Sequence, residues 1–162
     1  MKDKKALIFY FLMTIVLLDF GNHLKRIFEN SYISNKISNS IFSILVVNNT
    51  GSAFGMFQDK TMILAWFGIL VVLVIAFEVI KNISFNTDKT ELLSLTFFSA
   101  GALGNALERI NFGYVADYIK LNFIDFPVFN AFDIMICIGI FLYCLCLFFD
   151  FKKAKKVKNE GN

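Results

Sequence analysis

Apolar residues fall along this chain in long runs, and the runs predict helices of membrane-spanning length. The first, Ala6 to Leu18, is unbroken. At a 1.5 Å rise per residue it reaches only about 20 Å, short of a hydrocarbon core of about 30 Å. The helix is therefore expected to continue to Phe28, giving a span over 6–28. Asp19, Asn22, His23 and Arg26 then recur at i, i+3, i+4 and i+7 and share one face. Polar groups are expensive in lipid, so that face is expected to point into the protein or a wet cleft. Further runs predict spans over 62–80, 92–107 and 128–149. Ser99, Gly101 and Gly104 give the third a small-residue side suited to close helix packing. Pro127 suits the start of the fourth.

The runs leave two polar connections, 29–61 and 108–127, and a tail, 150–162. Within the first connection, Ser40–Phe57 is rich in Ile, Val and Phe and contains Asn48-Asn49-Thr50-Gly51. That pattern predicts two short strands around a turn, a small hairpin or sheet at the membrane surface. The second connection is expected to be a loop.

Composition agrees with a polytopic membrane protein of one domain, 1–162. Of 162 residues, 57% are hydrophobic and 18% charged, against roughly 45–50% and about 25% in soluble domains. Mean hydropathy is +0.62. So small a globule could not bury that much apolar surface, and a disordered chain would need far less of it.

A net charge of +3 is too weak to imply nucleic acid. Its placement is more telling. With four spans both termini share a side, which would hold ten Lys and Arg residues, five of them in the tail, against six on the other. Both termini are therefore expected to be cytoplasmic. Lys2, Lys4 and Lys5 precede an apolar run as in a signal peptide. However, no A-x-A-like cleavage site follows Leu18, so an uncleaved anchor is expected. Cys137, Cys144 and Cys146 cluster in the fourth run without disulfide or zinc spacing and are expected to be free thiols.

Unusual polar residues gather at the outer boundary. Asn105 and Arg109 lie at i, i+4 at the end of the third span, beside Glu108. Asp117 follows in the connection, and Asn130 and Asp133 stand at i, i+3 on the fourth helix. A fourth helix beginning at 128 would place Asp133 about 8 Å below its outer end. An intramembrane carboxylate is a functional-site candidate. Two carboxylates brought together in low dielectric cannot both ionise. The ionised one can then take a proton from water while the other donates to a carbonyl oxygen, which is the equipment for peptide hydrolysis. The lone His23 has no HExxH partner, and no Gly-x-Ser-x-Gly, P-loop or Rossmann pattern occurs. From the residues alone, two other readings stay open. One is a small transporter or proton-relay protein using Asp19, Asp117 and Asp133. The other is a scaffold whose polar residues only pair helices.

Three segments resemble the bacterial lipoprotein signal peptidases (signal peptidase II). They are Asn49-Thr-Gly-Ser-Ala-Phe54; Gly101-Ala-Leu-Gly-Asn105-Ala-Leu-Glu-Arg109 continuing through Gly113-Tyr-Val-Ala-Asp117-Tyr-Ile119; and Phe126-Pro-Val-Phe-Asn130-Ala-Phe-Asp133. The resemblance implies an α-helical, four-span aspartyl endopeptidase of the plasma membrane with Asp117 and Asp133 as its catalytic dyad. Asn49, Gly51, Phe54, Asn105, Arg109, Asn130 and Asp19 would support the site or bind substrate. It further implies cleavage of a diacylglyceryl-modified prolipoprotein just before the lipidated cysteine, no cofactor or metal, inhibition by globomycin-type cyclic peptides, membrane lipids as surroundings, and a monomer. Three departures stand out. The family's Asp-Gln-x-x-Lys corresponds to Asp19-Phe-Gly-Asn-His23, Glu108 stands where Asp is usual, and Phe132 replaces a small residue, where it would narrow the site or face lipid.

Overall fold

The structure, a computed structural model, describes residues 3–30, 37–52, 56–82 and 88–160, the last without the side chains of 153–160. In chain order the elements are α1 (Lys4–Glu29), β1 (Phe42–Asn49), α2 (Thr61–Asn82), α3 (Lys89–Phe112), β2 (Val115–Leu121) and α4 (Ala131–Glu160). The four expected helices are present, and local chemistry sets their ends. Asp3 caps α1 by accepting from Lys5 N at 2.9 Å, and Asp88 caps α3 through Thr90 N.

Among the described residues three helices are long and apolar enough to cross a membrane: α1, α2 and, in α4, Ala131–Lys152. The third expected span, now within α3, does not meet that description. Its position explains why. α3 packs against α1, α2 and α4, so much of its surface meets protein rather than lipid. It buries Ser94, Thr96 and Ser99 along with Gly101 and Gly104. The hydroxyls are satisfied within the bundle: Ser94 Oγ donates to Glu91 O and Thr96 Oγ1 to Leu92 O, while Ser99 Oγ shares a 2.8 Å hydrogen bond with Tyr10 OH of α1. Small residues let backbones approach closely, so the central helix is less apolar than the helices around it.

The two long connections form a sheet of different make-up from the expected hairpin. β1 pairs antiparallel with β2, which lies beyond α3, in a register that sets Val47 against Asp117 and Asn49 against Val115. An irregularity falls between Ile44 and Val47. The connection expected to be a loop thus supplies a strand. Gly113 makes this possible: at φ 78° it ends α3 in the left-handed conformation, its N–H donating to Arg109 O. Two residues later the chain is already in β2. Phe129 then bridges back to β2, its N–H donating to Ile119 O at 3.0 Å. Pro127 lies just before that bridge, outside any helix or strand, and the last helix starts four residues beyond it.

Candidate active site

Asp117 lies mid-strand in β2, and its flanks are fixed. Ala116 N donates to Glu108 Oε2 at 2.9 Å, and the Tyr118 ring stacks on Phe28 with centroids 5.1 Å apart. Tyr118 OH accepts from Ala131 N at 3.0 Å, tying β2 to the first residue of α4. Asp133 is only the third residue of α4, about 3 Å inside its start, because the helix begins at Ala131 rather than 128. Asn130 caps it: Asn130 Oδ1 accepts from Phe132 N and Asp133 N, and Asp133 Oδ2 accepts in return from Asn130 N at 3.0 Å. This is a reciprocal capping box, with Asn and Asp in the usual Ser/Thr and Glu places.

An amide relay joins the two carboxyl groups. Asn130 Nδ2 donates to Asp117 Oδ1 at 2.8 Å and to Asn105 Oδ1 at 3.1 Å. Asn105 Nδ2 donates to Asp133 Oδ1 at 2.8 Å. Asn49 Nδ2, from the end of β1, reaches Asp117 Oδ2 at 2.9 Å. Each of the four carboxyl oxygens thus accepts from an amide. Gly51 follows in an Asx turn, its N–H donating to Asn49 Oδ1. It must be glycine because a methyl group there would stand 2.6 Å from Met56 O. Arg109 closes the ring of groups by donating through Nη2 to Gly51 O at 2.7 Å and through Nη1 to Asn105 O at 3.2 Å. Among the described residues no carboxylate lies within ion-pair distance of it. Its charge acts over a longer range.

These side chains open onto a cavity of about 820 Å³. Asn49, Asn105, Arg109, Asp117 and Asp133 line its polar end, and Ile134, Cys137, Ile138 and Phe141 form an apolar wall down α4. Cys137 and Cys144 are exposed free thiols and Cys146 is a half-buried one. Among the described residues no cluster of His, Cys, Asp and Glu could hold a metal ion.

Burial pushes the Asp117 carboxyl up to about 6, against the pull of the Asn49 amide, and the charge on Asp133 adds to the rise. This gives a pH prediction. Below about pH 4 Asp117 holds its proton folded or unfolded. Between about 4 and 6 only the unfolded chain releases it, so this carboxyl's contribution to stability falls as pH rises through that window and is level above it. The loss is at most about 3 kcal/mol. Thermal unfolding in detergent across pH 4–8 should show this slope in the wild type and a shallower one in Asp117→Asn.

Of the other expected site residues, Asp19 is exposed and Phe54 lies outside the described residues. The polar face of α1 points outward rather than inward: Asp19, His23 and Arg26 are exposed and Asn22 is half-buried. The inward face instead carries Tyr10, Thr14, Gly21 and Lys25. The polar period alone does not reveal this face. The usable signal is a lysine four residues after a glycine, which puts both on one face of the helix. Lys25, only 8% exposed, meets Glu108, 4% exposed, at 3.0 Å and also lies over the Phe112 ring. Lys25 is thus a buried cation two residues beyond His23, where the family's lysine would fall, and Glu108 links it to β2 through Ala116 N. Phe132 neither narrows the cavity nor faces lipid; it is buried between α1 and α3. Breaking a buried pair leaves an uncompensated charge, so Lys25→Met should cost about 3–5 kcal/mol. Adding Glu108→Gln should recover part of that, since glutamine still accepts from Ala116 N. Thermal unfolding of both variants checks this.

The family model described as signal peptidase (SPase) II matches residues 11–149. A lipoprotein signal peptidase of Enterococcus faecalis is 29% identical over 98% of this chain and 99% of its own length. One of Lactococcus lactis is 31% identical over 86% and 95%. A bacterial membrane enzyme solved in meso at 2.3 Å superposes with a TM-score of 0.78 at 26% identity, covering 89% of this chain and 90% of that one.

Proposed function

We propose a residue-level mechanism from one premise: this chain belongs to the signal peptidase II family and is a membrane aspartyl peptidase that removes lipoprotein signal peptides. Asp117 and Asp133 are its catalytic pair. The observation that carries this is their convergence, from a strand and a helix start, on one cavity at the end of an apolar wall. One aspartate, ionised, takes a proton from water as the oxygen adds to the scissile carbonyl carbon. The other, protonated, donates to the carbonyl oxygen. As the tetrahedral intermediate collapses, a proton passes to the departing amine, the nitrogen of the lipidated cysteine. The amides of Asn49, Asn105 and Asn130 hold the carboxyl oxygens in place while protons move.

The substrate is a prolipoprotein carrying a diacylglyceryl-modified cysteine. Its acyl chains lie along Ile134, Cys137, Ile138 and Phe141, and its peptide enters beneath the Asn49–Gly51 turn. α3 is the fourth crossing, both termini are cytoplasmic and the cavity faces outward. The enzyme acts as a monomer among membrane lipids, and globomycin-type cyclic peptides compete for the cavity. The family supports peptidase over proton relay. The test is purified protein with a diacylglyceryl-modified precursor and an unmodified one. Cleavage immediately before the modified cysteine, and only there, is expected. Asn49→Ala should lose about tenfold in rate, the worth of one charge-assisted hydrogen bond, with little change in thermal stability. Proton flux in liposomes without precursor cleavage would overturn the reading.

A further inference from the structure

α4 enters the bundle on the side chain of Phe132, which is 1% exposed and stands directly before Asp133. Two glycines make its socket. A methyl group on Gly21 of α1 would lie 2.2 Å from Phe132 Cε1, and one on Gly104 of α3 would lie 2.4 Å from Cδ1 and Cε1. A methyl on Gly101 would lie 2.4 Å from the Phe132 carbonyl oxygen. Leu17 and Leu18 of α1, Phe97 and Ala100 of α3, and Met135 surround the same cluster. Ring and backbone of this one residue are thus both seated against neighbouring helices.

The same short stretch bears the chemistry. Phe132 N donates to Asn130 Oδ1 at 2.7 Å, and Asn130 Nδ2 bridges Asp117 and Asn105. A tilt of the first turn of α4 would move Asp133 and break that relay together. None of the cavity-lining residues comes from α1, and Phe132 stands between α1 and the aspartate it precedes. The role goes beyond burial, because the residue is placed where rotation of the helix start is most damaging.

We propose that Phe132, keyed into the Gly21–Gly104 socket, is a positioning residue that fixes Asp133 against Asn105 and Asp117. The proposal rests on the peptidase reading, and its test separates the two. Purified Phe132→Ala, Phe132→Leu, Gly21→Ala and Gly21→Ala/Phe132→Leu are compared for kcat, KM and Tm on a diacylglyceryl-modified precursor. Leu92→Ala, in the separate cluster with Tyr10 and Val79, is the control for a destabilising hole remote from the site.

Phe132→Ala should lose about 100-fold in kcat, the order expected of a misplacement near 1 Å, with KM changed less than about threefold. Phe132→Leu should recover much of it. Leu92→Ala should lower Tm comparably yet keep kcat. Gly21→Ala should be damaged alone and relieved by Phe132→Leu, which removes the two closest of the three clashing ring atoms, in both kcat and Tm. Near-normal kcat in Phe132→Ala, an equal kcat loss in Leu92→Ala, or additive Gly21 and Phe132 effects would each overturn the positioning role. If the wild type cleaves nothing, the peptidase reading falls, and the coupling of Gly21 and Phe132 in Tm still decides whether the socket exists.

Discussion

Asp117→Asn and Asp133→Asn should each reduce precursor cleavage by about 10²–10⁴-fold, the range for removing a general acid or base. Asparagine keeps size and one acceptor but cannot exchange the proton. The two differ in what else they disturb. Asp117 accepts from Asn49 and Asn130 at separate oxygens, so one of those bonds faces an NH₂ group in the variant. In Asp133→Asn the single remaining oxygen can still accept from Asn105 or from the capping N–H, though not from both. Residues acting as one unit are not additive, so the double variant should be barely slower than either single one. Rates on purified, membrane-inserted protein check this, and substantial turnover by any of the three would remove the dyad.

The next largest loss is expected at Arg109. Arg109→Ala should slow cleavage by about 10–100-fold, since hydrogen bonds to charged groups contribute about 1.5–3 kcal/mol. The guanidinium holds Gly51 O and Asn105 O at once, and so fixes the turn that carries Asn49 against the helix that carries Asn105. Lysine offers a point charge that cannot span both, so Arg109→Lys should be impaired but less so than alanine. The ranking is read from rates on one precursor, with thermal unfolding as control. Full activity in both would reduce Arg109 to an anchor.

The helices are legible in the sequence because lipid and close packing leave strong marks: a run from Met62 to Ile80, broken only by Glu78, is too long and too apolar for the surface of a soluble domain. The polar residues of the candidate site are legible for the same reason, since Asn105, Asp133 and Asn130 are costly near lipid. Strand pairing is not, because β1 and β2 are separated by two helices and nothing local in Val47 names Asp117 as its partner. The direction of α1 is hidden because its two faces differ by chemistry the period does not weigh. Asp19 and His23 are more conspicuous than Gly21, but the glycine is what admits a neighbour. Lys25 is hidden for a related reason: it looks like an ordinary surface charge until α1 packs on α3 and meets Glu108.

The capping box at Asn130 and Asp133 gives the same two side chains a second duty, starting the helix on which the site is built. A compound that anchors on Asp133 and Asn130 therefore leaves the enzyme little room for resistance by altering those positions. On the proposed mechanism, a replacement there disturbs the chemistry and weakens the helix start together. Escape under drug selection should instead arise along the apolar wall, at Ile134, Cys137 or Phe141, where exchanging one hydrophobic group for another reshapes the cavity and leaves the proton-handling groups untouched.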